Sequence, residues 1–405
     1  MARPDLRSWL PFRPAATARA AARQTFDWLD ERAGLRTLLL ETLYHAVPVR
    51  GGWAYTLGSA TLVLMVNQLV TGIVLTTMYV PSTQEAWQSL QYVKQHDAFG
   101  SIVRGMHLWG AYLLLLLIGL HMLRTFFSGS YKRPRELNWV TGVLLFLLVL
   151  GLSITGAFLP WDQAAYWTAV VVTNLVRYVP AVGNQLGEMW RGGVFLGPIT
   201  LVRTYGIHIW VLPAITYSLV GIHLYLLLKH GEFGSYVNYR GAYRSKSGWA
   251  EAPPPEARSV EPPYPAAPTE DYWAAPLETE DFHPGQTFKD ATLSGLLMIA
   301  ILLLAIGVGA PLESPANQAT TTYTPVPEWF FLPLDQLLVL VPQPLIPLAL
   351  FLPGAGSLLL LAVPFFDRSP ERNPWQRPLV VFPALLMVVF MLVLTALGSG
   401  RLFNL

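Results

Sequence analysis

Four of the chain's eight histidines stand inside apolar stretches that are almost free of charge: His107, His121, His208 and His223. His107 and His121 lie fourteen residues apart in RGMHLWGAYLLLLLIGLHMLR, and His208 and His223 lie fifteen apart in a second such stretch. Along an α-helix, fourteen residues rise about 21 Å and return to within about 40° of the same face. Each helix therefore presents two imidazoles on nearly one face, at two depths. Ionisable groups inside a membrane span are costly and mark function, and neutral imidazole is a common metal ligand. If the two helices run parallel, His107 can face His208 at one depth and His121 can face His223 at the other. With no acid in either stretch, two facing pairs suit bis-histidine haem iron at two levels.

Two further stretches repeat the interval with glycine: Gly58 and Gly72, then Gly142 and Gly156, each pair fourteen apart. A flat macrocycle between helices needs clearance, and glycine allows a ligand close to the backbone. Any one of these glycines reads equally as small-residue helix packing; two pairs on the histidine interval read as haem contacts. Arg104 and Arg124 stand three residues from His107 and His121, and Arg203 five before His208. There they can meet haem propionates or snorkel to the interface. Glu328 is the only acid between Glu313 and Asp335, in a segment without bases and between Pro327 and Trp329. A partly buried carboxylate can accept and pass protons; a plain surface acid is the competing reading.

These residues must be held by membrane-spanning helices. The chain has 405 residues, of which 53% are hydrophobic and only 13% charged, well under the ~25% charged of soluble domains. Seven apolar stretches are long enough to cross a bilayer, at about 54–80, 105–126, 138–159, 206–228, 291–311, 345–366 and 379–399. The expected class is an all-α integral membrane protein of about seven transmembrane helices. A four-helix dihaem bundle forms its N-terminal part, followed by three C-terminal helices. Putting residues 1–53 on the cytoplasmic side leaves only Lys94, Arg104, Arg177, Arg191, Arg203 and Arg401 of the 27 basic residues outside, as the positive-inside rule requires. No apolar core of a cleavable signal precedes residue 50. The net charge of +2 gives no basic patch for nucleic acid, and none is expected as a partner.

The expected organisation is a cytoplasmic segment, 1–53, with an interfacial amphipathic helix around FDWLDERAGLRTLLLETL. A four-helix domain, 54–230, follows. Within it, Pro160 should stop the third span, and DQAAYWTAVVVTNLV should form a short surface helix. Residues 231–290 are rich in proline and acid and read as a cytoplasmic linker. Residues 291–405 carry the last three spans and the Pro327-Glu328-Trp329-Phe330 loop. The chain has no cysteine, so it offers no disulfide, iron–sulfur ligation or thioether-linked haem.

The segments VRGMHLWGA, KRPRELNWVTGV, ITGAFLPWDQAAYW, LVRTYGIHIWVLP, FHPGQTFKD and PEWFFLP closely resemble cytochrome b of the Rieske/cytochrome b complexes. The likeness is to the plastid-type cytochrome b followed by its subunit IV, here in one chain. It runs from about residue 26 to 400 and leaves out the linker. It implies His107 with His208 for a lower-potential haem at the positive side, and His121 with His223 for a haem at the negative side. It also implies Glu328 as the quinol-site glutamate, with Pro327, Trp329, Phe330, Pro160 and Trp161 in the quinol-oxidising pocket. His230, Lys289 and Asp290 match, or lie near, positions of the quinone-reducing site.

The resemblance implies a dihaem quinol:cytochrome c oxidoreductase subunit in a prokaryotic inner membrane, multi-pass, with its N-terminus cytoplasmic. Two non-covalent b-type haems, quinol, a Rieske iron–sulfur protein, a cytochrome c-type subunit and a homodimeric complex come with it. Quinol oxidation at the positive side would feed one electron to the Rieske protein and one across the membrane, with proton release. There are three departures. Phe330 replaces the tyrosine of the family's PEWY segment. Tyr55-Thr56-Leu57-Gly58 replaces the plastid YCLG, so the extra thioether-bound haem is expected to be absent. No stretch after Ser399 matches the mitochondrial form's eighth span. The histidines alone also admit a dihaem anchor of a dehydrogenase, which leaves the PEWF loop unexplained, or a haem-free transporter.

Overall fold

The protein is described by a computed structural model over residues 18–34, 46–48, 52–230, 279–320 and 322–403. Among the described residues the regular structure is helical, apart from one pair of three-residue strands and an isolated bridge between Asp162 and Pro315. Seven helices among the described residues are long and apolar enough to cross a membrane, as the hydropathy pattern predicts. The chain divides into two compact units. The smaller contains helix α1 (Ala18–Ala33) and strands β1 (Ala46–Pro48) and β2 (Thr279–Asp281), paired antiparallel with Val47 opposite Glu280. Helix α1 takes in residues 26–33 of the FDWLDERAGLRTLLLETL stretch. It ends before Gly34, whose φ of +62° suits glycine; residues 35–45 lie outside the described residues.

The larger unit carries the spans. The spans and the shorter helices between them are, in order, α2 (Thr56–Thr76), α3 (Ala86–His96), α4 (Ala98–Phe127), α5 (Glu136–Ala157), α6 (Gln163–Val176), α7 (Gly183–Arg191) and α8 (Pro198–Gly206), then α9 (Leu212–His230), α10 (Thr287–Gly307), α11 (Leu332–Leu340), α12 (Ile346–Phe366) and α13 (Pro378–Phe403). Helix α2 stops short of residue 80 because Pro81 disfavours helix at the residue before it. Helix α4 starts seven residues before the apolar stretch because Asp97 caps it, accepting from the Gly100 amide at 2.9 Å. Helix α10 starts at Thr287, so the last residues of the 231–290 stretch are already helical; residues 231–278 lie outside the described residues.

Helix α6 stands where DQAAYWTAVVVTNLV was expected to form one. Helices α3, α7 and α11 are too short to stand out in the hydropathy pattern, and α3 and α7 are also mixed in polarity. Helix α3 buries Ala86, Leu90 and Val93 along one face, a helical period in an otherwise polar segment. Helix α2 packs along α4, and α9 along α5. Their shared core includes Ala60, Leu64, Leu114, Ile118, Val149 and Val220, with Ile301 from α10. Near the α4–α5 turn a second core gathers Phe126, Tyr131, Trp139 and Val143 against Val381 of α13.

Candidate haem and quinol sites

Helix α4 carries His107 and His121, and the span that ends in α9 carries His208 and His223. His107 and His208 face each other with ring centroids 6.4 Å apart and planes at 78°. Two metal–nitrogen bonds of about 2 Å, plus a ring radius of about 1.1 Å on each side, come to just over 6 Å. The gap would therefore admit one iron held between the two imidazoles. His121 lies close enough to His223 for the two to interact electrostatically. Among the described residues no three His, Cys, Asp or Glu side chains gather around one point. Donors come only in pairs, which suits a macrocycle that supplies its own four equatorial nitrogens.

The unequal intervals, fourteen and fifteen, have a local explanation. Residues Ile207–Val211 form a turn of π-helix, with the Leu212 amide bonded to the Ile207 carbonyl five residues back. A π-turn absorbs an extra residue without adding its full rise. His208 sits in that turn, so the fifteen-residue interval is drawn back toward the fourteen-residue spacing of α4.

Every glycine on the interval meets a histidine. A Cβ added at Gly72 would lie 3.4 Å from His107 Cε1, at Gly58 3.3 Å from His121 Cε1, at Gly142 3.4 Å from His223 Cε1, and at Gly156 2.9 Å from His208 Cε1. The clearance these glycines provide is thus taken up first by the imidazoles themselves, which lie against bare backbone. Three of the four glycines follow a threonine. Thr71 Oγ1 lies 2.8 Å from His107 Nδ1, Thr141 Oγ1 2.9 Å from His223 Nδ1, and Thr155 Oγ1 3.0 Å from His208 Nδ1. A partner on Nδ1 selects the tautomer that leaves Nε2 unprotonated and able to bind metal. These threonines were not among the expected site residues, although each Thr-Gly step sits on the fourteen-residue interval. Leu57 stands at the fourth position.

The arginines are held by protein. Arg104 donates to the carbonyls of Ala310 (3.0 Å) and Pro311 (2.6 Å). Arg124 lies over the Tyr55 ring, 3.5 Å from its centroid. Arg203 is exposed and donates to the Met189 carbonyl.

Glu328 lies on the loop before α11 and is partly buried. Tyr112 of α4 donates its hydroxyl to the Glu328 carboxylate. Burial pushes the Glu328 carboxyl above its ordinary range, the Tyr112 bond opposes that, and the charge of Asp162 adds to it. Tyr112 is five residues beyond His107 and nine before His121, so Glu328 is tied to α4 at a point between the two histidines and nearer the His107 level. Trp329 is exposed, while Pro327 and Phe330 are partly buried, and Phe330 packs edge-on against Tyr112.

Pro160 ends α5, and Trp161 is buried in the left-handed region with φ +53°. That conformation is strained for a bulky residue and typical of functional corners. It lets Asp162 serve two segments. One oxygen caps α6 by accepting from the Ala165 amide at 2.9 Å, and the other accepts from the Glu313 amide at 3.0 Å. The Gln163 amide donates to Ser314 O, and the Ala316 amide to Trp161 O. The corner therefore grips the start of the loop that leads to Glu328. Asp162 was not among the expected site residues, although the acid directly after a helix-ending Pro-Trp is a cap signal. His230 is the last residue of α9, and Lys289 and Asp290 lie in the first turn of α10.

Residues 44–231 match the family model "cytochrome b/b6/petB", and residues 315–403 match "cytochrome b(C-terminal)/b6/petD". The menaquinol:cytochrome c reductase cytochrome b subunit of Bacillus subtilis (strain 168) is 39% identical over 217 residues, covering 52% of this chain and 97% of that protein. Its namesake from Geobacillus thermodenitrificans is 38% identical over the same shares. A solved structure titled hyperthermophilic respiratory Complex III superimposes with a TM-score of 0.75 at 26% identity, covering 92% of this chain and 91% of that one.

Proposed function

The chain belongs to the cytochrome b/b6 family, and from that premise we propose that it is the dihaem membrane subunit of a quinol:cytochrome c oxidoreductase. It oxidises quinol near Glu328 at the positive side and reduces quinone at the opposite face, so that turnover translocates protons. The observation that carries this reading is the His107–His208 pair, spaced for one iron, with Glu328 tethered to the same helix by Tyr112. A haem-binding anchor alone has no need of a carboxylate held at that depth.

His107 with His208, and His121 with His223, hold one non-covalent b-type haem each, and Thr71, Thr155 and Thr141 orient three of the four rings. Haem bound there supplies one-electron chemistry at two depths. The side chains do the rest. Glu328, its pKa raised by burial, accepts a proton as quinol is oxidised. Pro327, Trp329, Phe330, Pro160 and Trp161 line the pocket. Arg104, Arg124 and Arg203 stand at the levels where propionates end. His230, Lys289 and Asp290 belong to the quinone-reducing end. Residues 54–230 form the haem domain, 231–290 a linker and 291–405 the quinol-loop domain, with residues 1–53 cytoplasmic in a prokaryotic inner membrane. A Rieske protein and a cytochrome c complete the reaction, in a homodimeric complex. Both bacterial relatives are named for menaquinol, which makes it the quinol to assay first.

The test is spectroscopic and kinetic. His208→Ala should remove one haem of two, and Glu328→Gln should slow quinol oxidation by about 100-fold or more while keeping both. A purified protein without b-type absorption, or a Glu328→Gln variant with normal turnover, refutes the reading.

A further inference from the structure

The fourth position of the PEWF loop carries no hydroxyl, yet Glu328 has a phenol bound to it. That phenol comes from Tyr112, 216 residues away in the chain, on the helix that carries His107 and His121. Its ring is clamped edge-on by Phe330 at 6.1 Å and by Trp109 at 5.6 Å. Trp109 is itself fixed, its indole donating to the Gly309 carbonyl at 2.9 Å. A ring held between two aromatic neighbours can aim its hydroxyl in few directions, and this one ends on the carboxylate.

We propose that Tyr112 is the positioning residue of the quinol site, holding the Glu328 carboxylate in one orientation with a hydroxyl supplied from helix α4 in place of one from position 330. This rests on the quinol-oxidising reading of Glu328. The plainer alternative is a buried tyrosine that satisfies its hydroxyl on the nearest acceptor. The two differ in consequence. Tyr112 from α4 and Asp162 from the corner after α5 are the titratable groups that act on Glu328. The Tyr112 bond favours the ionised carboxylate and Asp162 disfavours it. Loss of the hydroxyl therefore makes Glu328 harder to ionise and frees it to turn away.

The experiment is Tyr112→Phe in the intact complex, which keeps the ring and its packing. Steady-state quinol oxidation is measured against pH beside wild type and Glu328→Gln, with haem content recorded for each. The expected result is about a tenfold slower rate near neutral pH, the value of one hydrogen bond to a charged group. Both haems should be retained, and the acidic limb of the pH profile should move to higher pH. An unchanged rate and profile overturns the inference, as does a uniform loss at every pH, which a purely structural role would give. Wild-type complex that oxidises no quinol at all overturns the quinol-site reading beneath it, and this inference with it.

Discussion

Gly156 offers the sharpest test of how the histidine pairs are seated. A Cβ at this position would stand 2.9 Å from His208 Cε1 and 3.5 Å from both ring nitrogens. Carbon atoms pack at about 3.5–4.0 Å, so in Gly156→Ala the ring must retreat by more than half an ångström. It has little freedom to do so, because Thr155 holds Nδ1 from one side and the iron would hold Nε2 from the other. Overpacking of this kind costs about 1–3 kcal/mol, or roughly a 5- to 150-fold loss of haem retention at one tenfold per 1.4 kcal/mol. The substitution otherwise favours the helix, since alanine exceeds glycine by about 1 kcal/mol in helix propensity. Any haem loss therefore comes from the contact.

Gly142→Ala is the internal control, because its Cβ would meet His223 Cε1 at an ordinary 3.4 Å. The assay is the haem-to-protein ratio of the purified complex from reduced-minus-oxidised absorption, with the two haems separated by redox titration. Gly156→Ala should deplete the His107–His208 haem, and Gly142→Ala should spare the His121–His223 haem. Full occupancy in Gly156→Ala, or depletion only in Gly142→Ala, refutes the reasoning.

Three further outcomes follow from contacts described above. Thr155→Val removes the acceptor for His208 Nδ1 and should weaken haem retention by about 10- to 100-fold at that level; a redox titration should show the other haem's midpoint unmoved. Asp367 is buried between Lys132 (2.7 Å) and Arg377 (2.9 Å), so Asp367→Asn should destabilise the protein by about 3–5 kcal/mol, read as a fall in thermal unfolding temperature. Burial alone would raise the Asp367 carboxyl, but hydrogen bonds from Lys132, Tyr131 and Arg377 hold it below its ordinary range. Its contribution is then complete above the unfolded-state pKa and is lost as pH falls through the lower folded value; unfolding of Asp367→Asn should depend less on pH across that acidic window. Asp162→Ala removes a helix cap worth about 1 kcal/mol and the anchor of Glu313. It should slow quinol oxidation while both haems stay bound, a split that parallel kinetics and spectra would show.

Much of this architecture was legible in the chain because membrane spans write themselves in one dimension. A run such as Arg104–Arg124 has only helix open to it in lipid, and fourteen residues on a helix fix both depth and face. The histidine pairing could be read for the same reason. What resisted reading depends on contacts that no local pattern announces. Tyr112 looks like one more aromatic in an apolar helix; only the fold brings Glu328 to it. Thr71, Thr141 and Thr155 could each have bonded the carbonyl three or four residues back, as all three hydroxyls also do, so their reach to histidine depends on how the helices rotate. The π-turn at Ile207–Val211 is a backbone accommodation with no residue signature. Its trace was the fifteen-residue interval, which reads as a mismatch until the turn is seen.

The corner at Pro160–Asp162 suggests why strain is kept beside Glu328. Pro160 ends α5, and a relaxed residue after it would carry the chain away in an extended direction. Trp161 at φ +53° turns it back instead, at a cost of about 1–3 kcal/mol. The return is that Asp162 reaches the first turn of α6 and the Glu313 amide together, while Arg104 holds the carbonyls of Ala310 and Pro311 just before. The segment that leads to Glu328 is thus fixed at its origin by α4 and α5, the two helices that carry His107 and the Thr155-Gly156 step against His208. The same helix α4 then fixes the carboxylate through Tyr112. On the proposed role of Glu328 as proton acceptor, one frame then holds both the carboxylate and the nearer histidine pair. Such preorganisation matters where misplacement of about 1 Å can cost 100-fold in rate.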